Sequence, residues 1–300
     1  YIDAPTGREK GVTNVEQTLP KSPLKILHKL LIESIVDLLP TNPNAHVVFI
    51  PEQSLWRLSF PTLQDDAGKF LVEKHTIRIS PSIQSLDFTR RQAEKVRKLA
   101  KLAKDILVVG NPTNLNVNMP FNNLPGAEKE AEVIASLLNT KFITGKNATK
   151  ATIVEKMQSS RIIHLAAHAL FDDKKGSNGF IVLASFGKDN GLLTASEIAD
   201  MELKAELVVL SGCDTGLGKI TSDSIAGLPR SFFIAGVPSV VASIWKVPDK
   251  STADLMIEFY KNLQHTNDKA LALRQATLTV MKKYPSLRDW GAFTLIGEAN

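Results

Sequence analysis

Four stretches of this chain are mostly apolar, without polar alternation, and rich in β-branched residues: Ile106–Gly110, Ile162–Ala167 apart from His164, Leu207–Leu210 and Ser239–Ile244 apart from its two serines. A strand with one wet face alternates polar and apolar residues, whereas one covered on both faces does not. Helical periodicity falls between these runs, at Gln92–Leu102, Ala127–Leu138, Thr152–Ser159, Gly227–Ile234, Thr252–Leu263 and Asp268–Lys282. Further strands are predicted at His46–Ile50, within 71–79, and at Lys141–Thr144, Phe180–Ser185 and Ala292–Ile296. An amphipathic helix is predicted over Pro23–Leu39. Strands alternating with helices at this rhythm predict an α/β fold, a mostly parallel sheet with helices on both faces.

Two of the runs end in residues that carry chemistry. One ends at His168; the other leads through Ser211 and Gly212 into Cys213, the only cysteine. Parallel strands ending side by side bring an imidazole and a sulfur to one edge of the sheet, where open α/β sheets place their sites. A thiol beside a neutral imidazole is the minimum equipment of a cysteine hydrolase, with the thiolate as attacking species. The 45 residues between His168 and Cys213 are close to the roughly 50 that separate the two groups in caspases. Gly212 and Gly216 allow a sharp turn around the sulfur. The backbone N–H groups of Ala169 and Cys213 are the candidate oxyanion hole. The competing reading makes Cys213 a small buried hydrophobe and His168 a satisfied polar group at a strand end.

Other chemistries fail on their spacing. Gly216-Leu217-Gly218-Lys219 hints at a phosphate loop, but Cys213 stands where that loop needs glycine and Ile220 where it needs a hydroxyl. His164 and His168 share the HxxxH spacing of zinc helices. On a strand, however, four residues span roughly 13 Å, too far for one ion, so no metal and no cofactor are expected. No Gly-x-Ser-x-Gly elbow is present. A net charge of +5 in 300 residues is mild, and the basic stretch Arg90–Lys104 lacks aromatics to stack bases, so nucleic acid is not an expected partner. No run approaches the roughly 18 apolar residues of a membrane span. A single cysteine fits a reducing, cytoplasmic setting. The chain starts at Tyr1 with no signal-like segment and reads as part of a longer polypeptide.

Several blocks, in this order, resemble the CHAT domain, a caspase-like peptidase module related to separases and often joined to tetratricopeptide repeats. They are Pro51–Pro61 with Leu71–His75, Leu124–Ala131, His164–His168, Leu192–Ile198, Leu207–Gly216, Gly227–Phe232, Ala235–Trp245 and Trp290–Gly297. The resemblance spans about residues 20–297. It implies a caspase-hemoglobinase-like fold, with residues 1–20 a linker or covering segment, 21–104 a pseudo-caspase N-terminal subdomain and 105–300 the peptidase subdomain. It also implies peptide-bond hydrolysis through a thioester, with His168 as base and Cys213 as nucleophile. Ser243 and Trp245 fall on the strand that lies beside substrate in caspase-like folds, where an extended peptide adds as a strand. Asp214 and Asp223, near the nucleophile, are candidate acids for a lysine or arginine at the cleavage position, or equally solvated loop acids. In this chain Ala169 replaces the usual glycine after the histidine, and Val247-Pro248-Asp249 replaces the usual Asp-Asp after the tryptophan strand. The expected partners are a protein or peptide substrate and a regulatory repeat region. The alternative is a catalytically inactive scaffold that binds partners without cutting.

Overall fold

The structure is a computed structural model and describes residues 22–99, 105–114, 121–172, 178–212, 219–220 and 225–300. Along the chain, α1 (Pro23–Leu31) precedes β1 (His46–Phe49), and α2 (Leu71–Lys74) precedes β2 (Thr76–Ile79). Then α3 (Ile83–Leu99) leads to β3 (Asp105–Pro112), α4 (Pro125–Leu137) to β4 (Phe142–Gly145), and α5 (Lys150–Met157) to β5 (Ser160–Ala166). A three-stranded ribbon, β6 (Ala169–Asp172), β7 (Asn178–Val182) and β8 (Leu192–Thr194), comes next, followed by α6 (Ala195–Ala199) and β9 (Leu207–Leu210). The two-residue strands β10 (Lys219–Ile220) and β11 (Ile225–Ala226) pair with each other before α7 (Leu228–Ile234) and β12 (Ser239–Ser243). Finally α8 (Asp249–His265), α9 (Lys269–Lys283) and α10 (Leu287–Trp290) precede β13 (Phe293–Gly297).

Eight strands form one sheet in the order β1-β2-β13-β12-β9-β5-β3-β4. Every neighbouring pair is parallel except β12 with β13. The apolar runs are explained by what covers them. Leu107, Val109, Ile163, Leu165, Val208 and Val240 face one core cluster with Phe232 of α7. Val108, Ile162, Leu207, Val209 and Val241 face another with Ala131 of α4, Phe259 of α8 and Ala276 of α9. Both faces are therefore dry, as the sequence pattern requires. Gly110 lets β3 lie close under α4, because a Cβ there would stand 2.4 Å from the Ala127 carbonyl oxygen. Strands from 22–99 and from 105–300 share this sheet. A smaller cluster around Trp56, Phe60 and Leu63 packs against Ile296.

Two helices depart from their predicted limits. The helix expected over Pro23–Leu39 stops at Leu31 and continues as a 3-10 turn over Glu33–Leu38. The break falls at Ile32, which is buried in a core cluster with Leu27, Leu31 and Leu39 packed against it. In contrast, α3 starts at Ile83, nine residues before the predicted Gln92. The Ser82 hydroxyl accepts the Ser85 N–H there and caps it. Ile83 and Phe88 are exposed, which hid the helical period of that first half. Among the described residues no helix is long and apolar enough to cross a membrane.

Candidate active site

β4 lies on one side of β3 and β5 on the other, so the chain changes direction across the sheet between β3 and β5. A crevice opens at such a reversal, outside the carboxyl ends of the strands. His168 follows β5 into it. On the other wall, the segment after β3 brings Asn122, whose carbonyl oxygen lies 2.7 Å from His168 Nε2. The Phe121 ring tilts against the imidazole at a centroid distance of 4.7 Å. A carbonyl has no proton to give, so Nε2 carries the hydrogen and Nδ1 keeps the lone pair.

Asn122 is itself held from two sides. Asn111, buried at the end of β3 and in the left-handed conformation asparagine tolerates, accepts the Leu124 N–H at 3.0 Å. Its amide donates to Glu128 at 3.0 Å. The second anchor is Asp249, the first residue of α8. Its carboxylate accepts the N–H groups of Gly126 at 2.5 Å and Ala127 at 3.0 Å. No side chain of its own caps α4, and Asp249 supplies the acceptors from outside. Gly126 is required for this approach, since a Cβ there would stand 2.5 Å from the Asp249 carboxylate.

Cys213, Asp214 and Asp223 lie outside the described residues. The strand that leads to the cysteine is described. β9 runs parallel beside β5 with Leu210 opposite Leu165, and the Ser211 N–H continues the ladder to the Leu165 carbonyl at 3.0 Å. Gly212, the last residue before the cysteine, accepts the Ser243 hydroxyl at 2.5 Å.

The other expected site residues are placed as follows. Ala169 is buried and opens β6 opposite Ile181. The Val182 N–H donates to the His168 carbonyl at 2.8 Å. Antiparallel alternation then turns the Ala169 N–H away from β7. Ser243 is fully buried, and β12 has β9 on one side and β13 on the other. Both edges of β12 over Ser239–Ser243 are thus paired, so an extended peptide has room to add only past Ser243, towards Trp245. Ser243 fixes the carbonyl next to the cysteine. Trp245 lies beyond the strand, half-buried, its indole N–H 3.4 Å from the Arg288 carbonyl.

His164 has a different setting. It is fully buried, with Nε2 2.9 Å from Glu130 and Nδ1 3.3 Å from the Tyr260 hydroxyl. The Glu130 contact is off the line of a hydrogen bond, and neither of its two atoms has another partner among the described residues. Burial first, and the Glu130 charge second, hold the Tyr260 phenol well above its ordinary pKa of 10. Among the described residues no three histidine, cysteine or acidic side chains converge where a metal could sit. Sequence reasoning missed Asn122, Phe121 and Asn111. Asn122 acts through its backbone carbonyl, which leaves no signature in a side chain.

A mostly parallel sheet, covered on both faces and with a histidine at the crevice between β3 and β5, defines a caspase-like α/β protein. The chain belongs to the CHAT domain family, whose model matches residues 21–298. The solved structures agree on the fold. The separase of the Saccharomyces cerevisiae separase-securin complex superposes with a TM-score of 0.54 at 15% identity, covering 84% of this chain and 15% of that one. The Arg-specific cysteine proteinase gingipain R gives 0.55 at 12% identity, covering 92% of this chain and 66% of that one. Tetratricopeptide repeat protein 28 of Mus musculus is 25% identical over 331 residues, and its Homo sapiens counterpart 25% over 330. Each alignment takes in 94% of this chain but only 13% of the relative.

Proposed function

We propose that the chain is a cysteine endopeptidase that cleaves protein substrates through Cys213 and His168. The observation that carries this reading is the Asn122 carbonyl on His168 Nε2, which leaves Nδ1 as the base at the rim where β5 and β9 end together. In this reading Nδ1 takes the thiol proton and the sulfur attacks the scissile carbonyl. The oxyanion is met by the backbone N–H groups of Ala169 and Cys213. When the tetrahedral species collapses, the imidazolium returns its proton to the departing amine, leaving a thioester. A water, deprotonated by the same nitrogen, then hydrolyses the thioester and frees the cysteine.

Asp214 and Asp223 are the proposed acids for a basic residue at the cleavage position, a preference that gingipain R carries in its name. Trp245, beyond the paired part of β12, is the proposed flank for the peptide. Ser243 supports the cysteine loop through the Gly212 carbonyl and borders the proposed peptide path. We also propose that the domain works under a tetratricopeptide-repeat region, in the same polypeptide or as a partner, in a cytoplasmic setting. The names and greater length of the matched relatives support the repeat region, and the single cysteine fits the reducing setting.

The test is a peptide-library cleavage profile of the wild-type and Cys213→Ala proteins, with repeat-containing partners added. Cleavage after basic residues, and labelling by a thiol-directed peptide probe, are expected for the wild type and lost in the variant. Equal cleavage by both proteins would remove Cys213 from the reaction. Partner binding by the wild type with no cleavage of any library member would make the chain the inactive scaffold.

A further inference from the structure

The opposite ends of β5 and β9 frame a cavity of about 650 Å³, roughly 20 Å along the strands from His168. Arg161, near the start of β5, and Glu206, just before β9, line it and pair with each other. Arg97 of α3 contributes a guanidinium with no acidic partner among the described residues. Asn267, in the turn between α8 and α9, contributes an amide, and the half-buried Leu138 and Leu263 an apolar flank.

Lys269 is the unusual member. Only 6% of it is exposed, yet the one described contact of its ammonium is the Ala299 carbonyl at 3.4 Å. An ammonium has three protons to place, and burying one so thinly satisfied is costly. Burial draws its pKa from 10.5 to about 8. Arg97 acts in the same sense, while Glu206, Glu298 and Asp268 oppose it. Asp268 is shared with His46, 2.6 Å away, and Glu298 with Arg78. The surrounding acids are thus partly spent on other cations. A side chain wanted only for packing at this position would carry no charge.

With Arg161 matched by Glu206, two cations remain, which suits a dianion better than a single carboxylate. We propose that this cavity binds a small organic phosphate monoester, its phosphate held by Arg97 and Lys269 and its apolar part set against Leu138 and Leu263. The proposal does not depend on Cys213 being a nucleophile.

The experiment is calorimetric titration of the 300-residue protein with phenyl phosphate, inorganic phosphate and phenol, repeated on Lys269→Met and Arg97→Gln. Arg97 is exposed, so Arg97→Gln keeps the comparison valid if Lys269→Met disturbs folding. Saturable one-to-one binding of phenyl phosphate is expected, weaker binding of phosphate, and none of phenol. Each variant is expected to lose about ten-fold or more in affinity, and wild-type affinity to fall on the order of ten-fold from pH 7.5 to 9.5 as the ammonium loses its proton. No saturable binding of phenyl phosphate, or binding unchanged in both variants, overturns the proposal.

Discussion

The two ends of β5 and β9 treat their polar groups in opposite ways. At the carboxyl end three groups beside the proposed reacting pair are fixed at short range: Nε2 of His168 by a carbonyl at 2.7 Å, the Gly212 carbonyl by a hydroxyl at 2.5 Å, the α4 terminus by Asp249; the Ser211 hydroxyl between them is buried without a partner among the described residues. At the amino end a buried ammonium has one contact at 3.4 Å. Midway, His164 is sealed between Glu130 and Tyr260. The contrast separates two uses of a polar residue: one held in a fixed direction, the other left with capacity unspent. It also distinguishes two histidines four residues apart, one a buried packing element and the other standing at the rim.

The largest expected effect lies at the carboxyl end. Replacing His168 with alanine is expected to lower peptidase turnover by about three orders of magnitude or more, because base and proton donor disappear together. The measurement is single-turnover cleavage of a peptide that the wild type cuts. Turnover within a few-fold of wild type would strip the rim of its catalytic meaning and leave its short contacts purely structural.

Next comes the middle of β5. Glu130→Ala takes away the carboxylate 2.9 Å from the buried His164 Nε2, and leaving a buried polar group unmatched costs about 1–3 kcal/mol. Denaturant unfolding checks this through the midpoint at constant slope. A loss below about 1 kcal/mol would show that His164 is settled by Tyr260 alone.

Lys269 is expected to behave with the opposite sign. Its pKa of about 8 in the fold lies below the 10.5 of the unfolded chain, so between these values the unfolded state binds more protons. Stability from this group therefore rises as pH climbs from about 8 to 10.5, and the penalty is complete below about 8. That penalty amounts to about 3 kcal/mol at most. Lys269→Met is expected to be more stable than wild type at pH 7, with the difference shrinking towards pH 10.5. A pH-independent difference would mean that the ammonium is better satisfied than its single contact indicates.

The parallel sheet was legible because aliphatic runs without polar alternation have few places to go except a strand covered twice, and both core clusters confirm it. The family was legible from blocks of residues in order. The short ribbon strands β6 and β8 were not, because three or four residues pairing across a hairpin carry too little pattern. Ser243 illustrates another limit. Its position on the strand was readable, but the β13 neighbour that closes one edge comes from residues fifty positions further on. Asn122 acts through a backbone atom that every residue has, so only coordinates single it out.

The smallest expected effect ties these threads to Asp249, a positioning residue that touches nothing at the reacting end. Its carboxylate holds the first turn of α4, and the Asn122 carbonyl lies three residues before Pro125, where that helix begins. Asp249→Ala takes the acceptor from two N–H groups, which costs about 1 kcal/mol as a lost cap. A purely structural role would end there. If the cap also aims the carbonyl, His168 loses the bond that fixes its tautomer, part of the population carries the hydrogen on Nδ1, and that part has no base to offer the thiol. Turnover is then expected to fall several-fold with KM little changed, and the acid limb of the pH profile to move. Asp249→Asn, which keeps one acceptor oxygen, is expected to recover part of both. A variant that loses stability while its pH profile and turnover stay at wild type would uncouple the two walls of the crevice and reduce Asp249 to a helix cap.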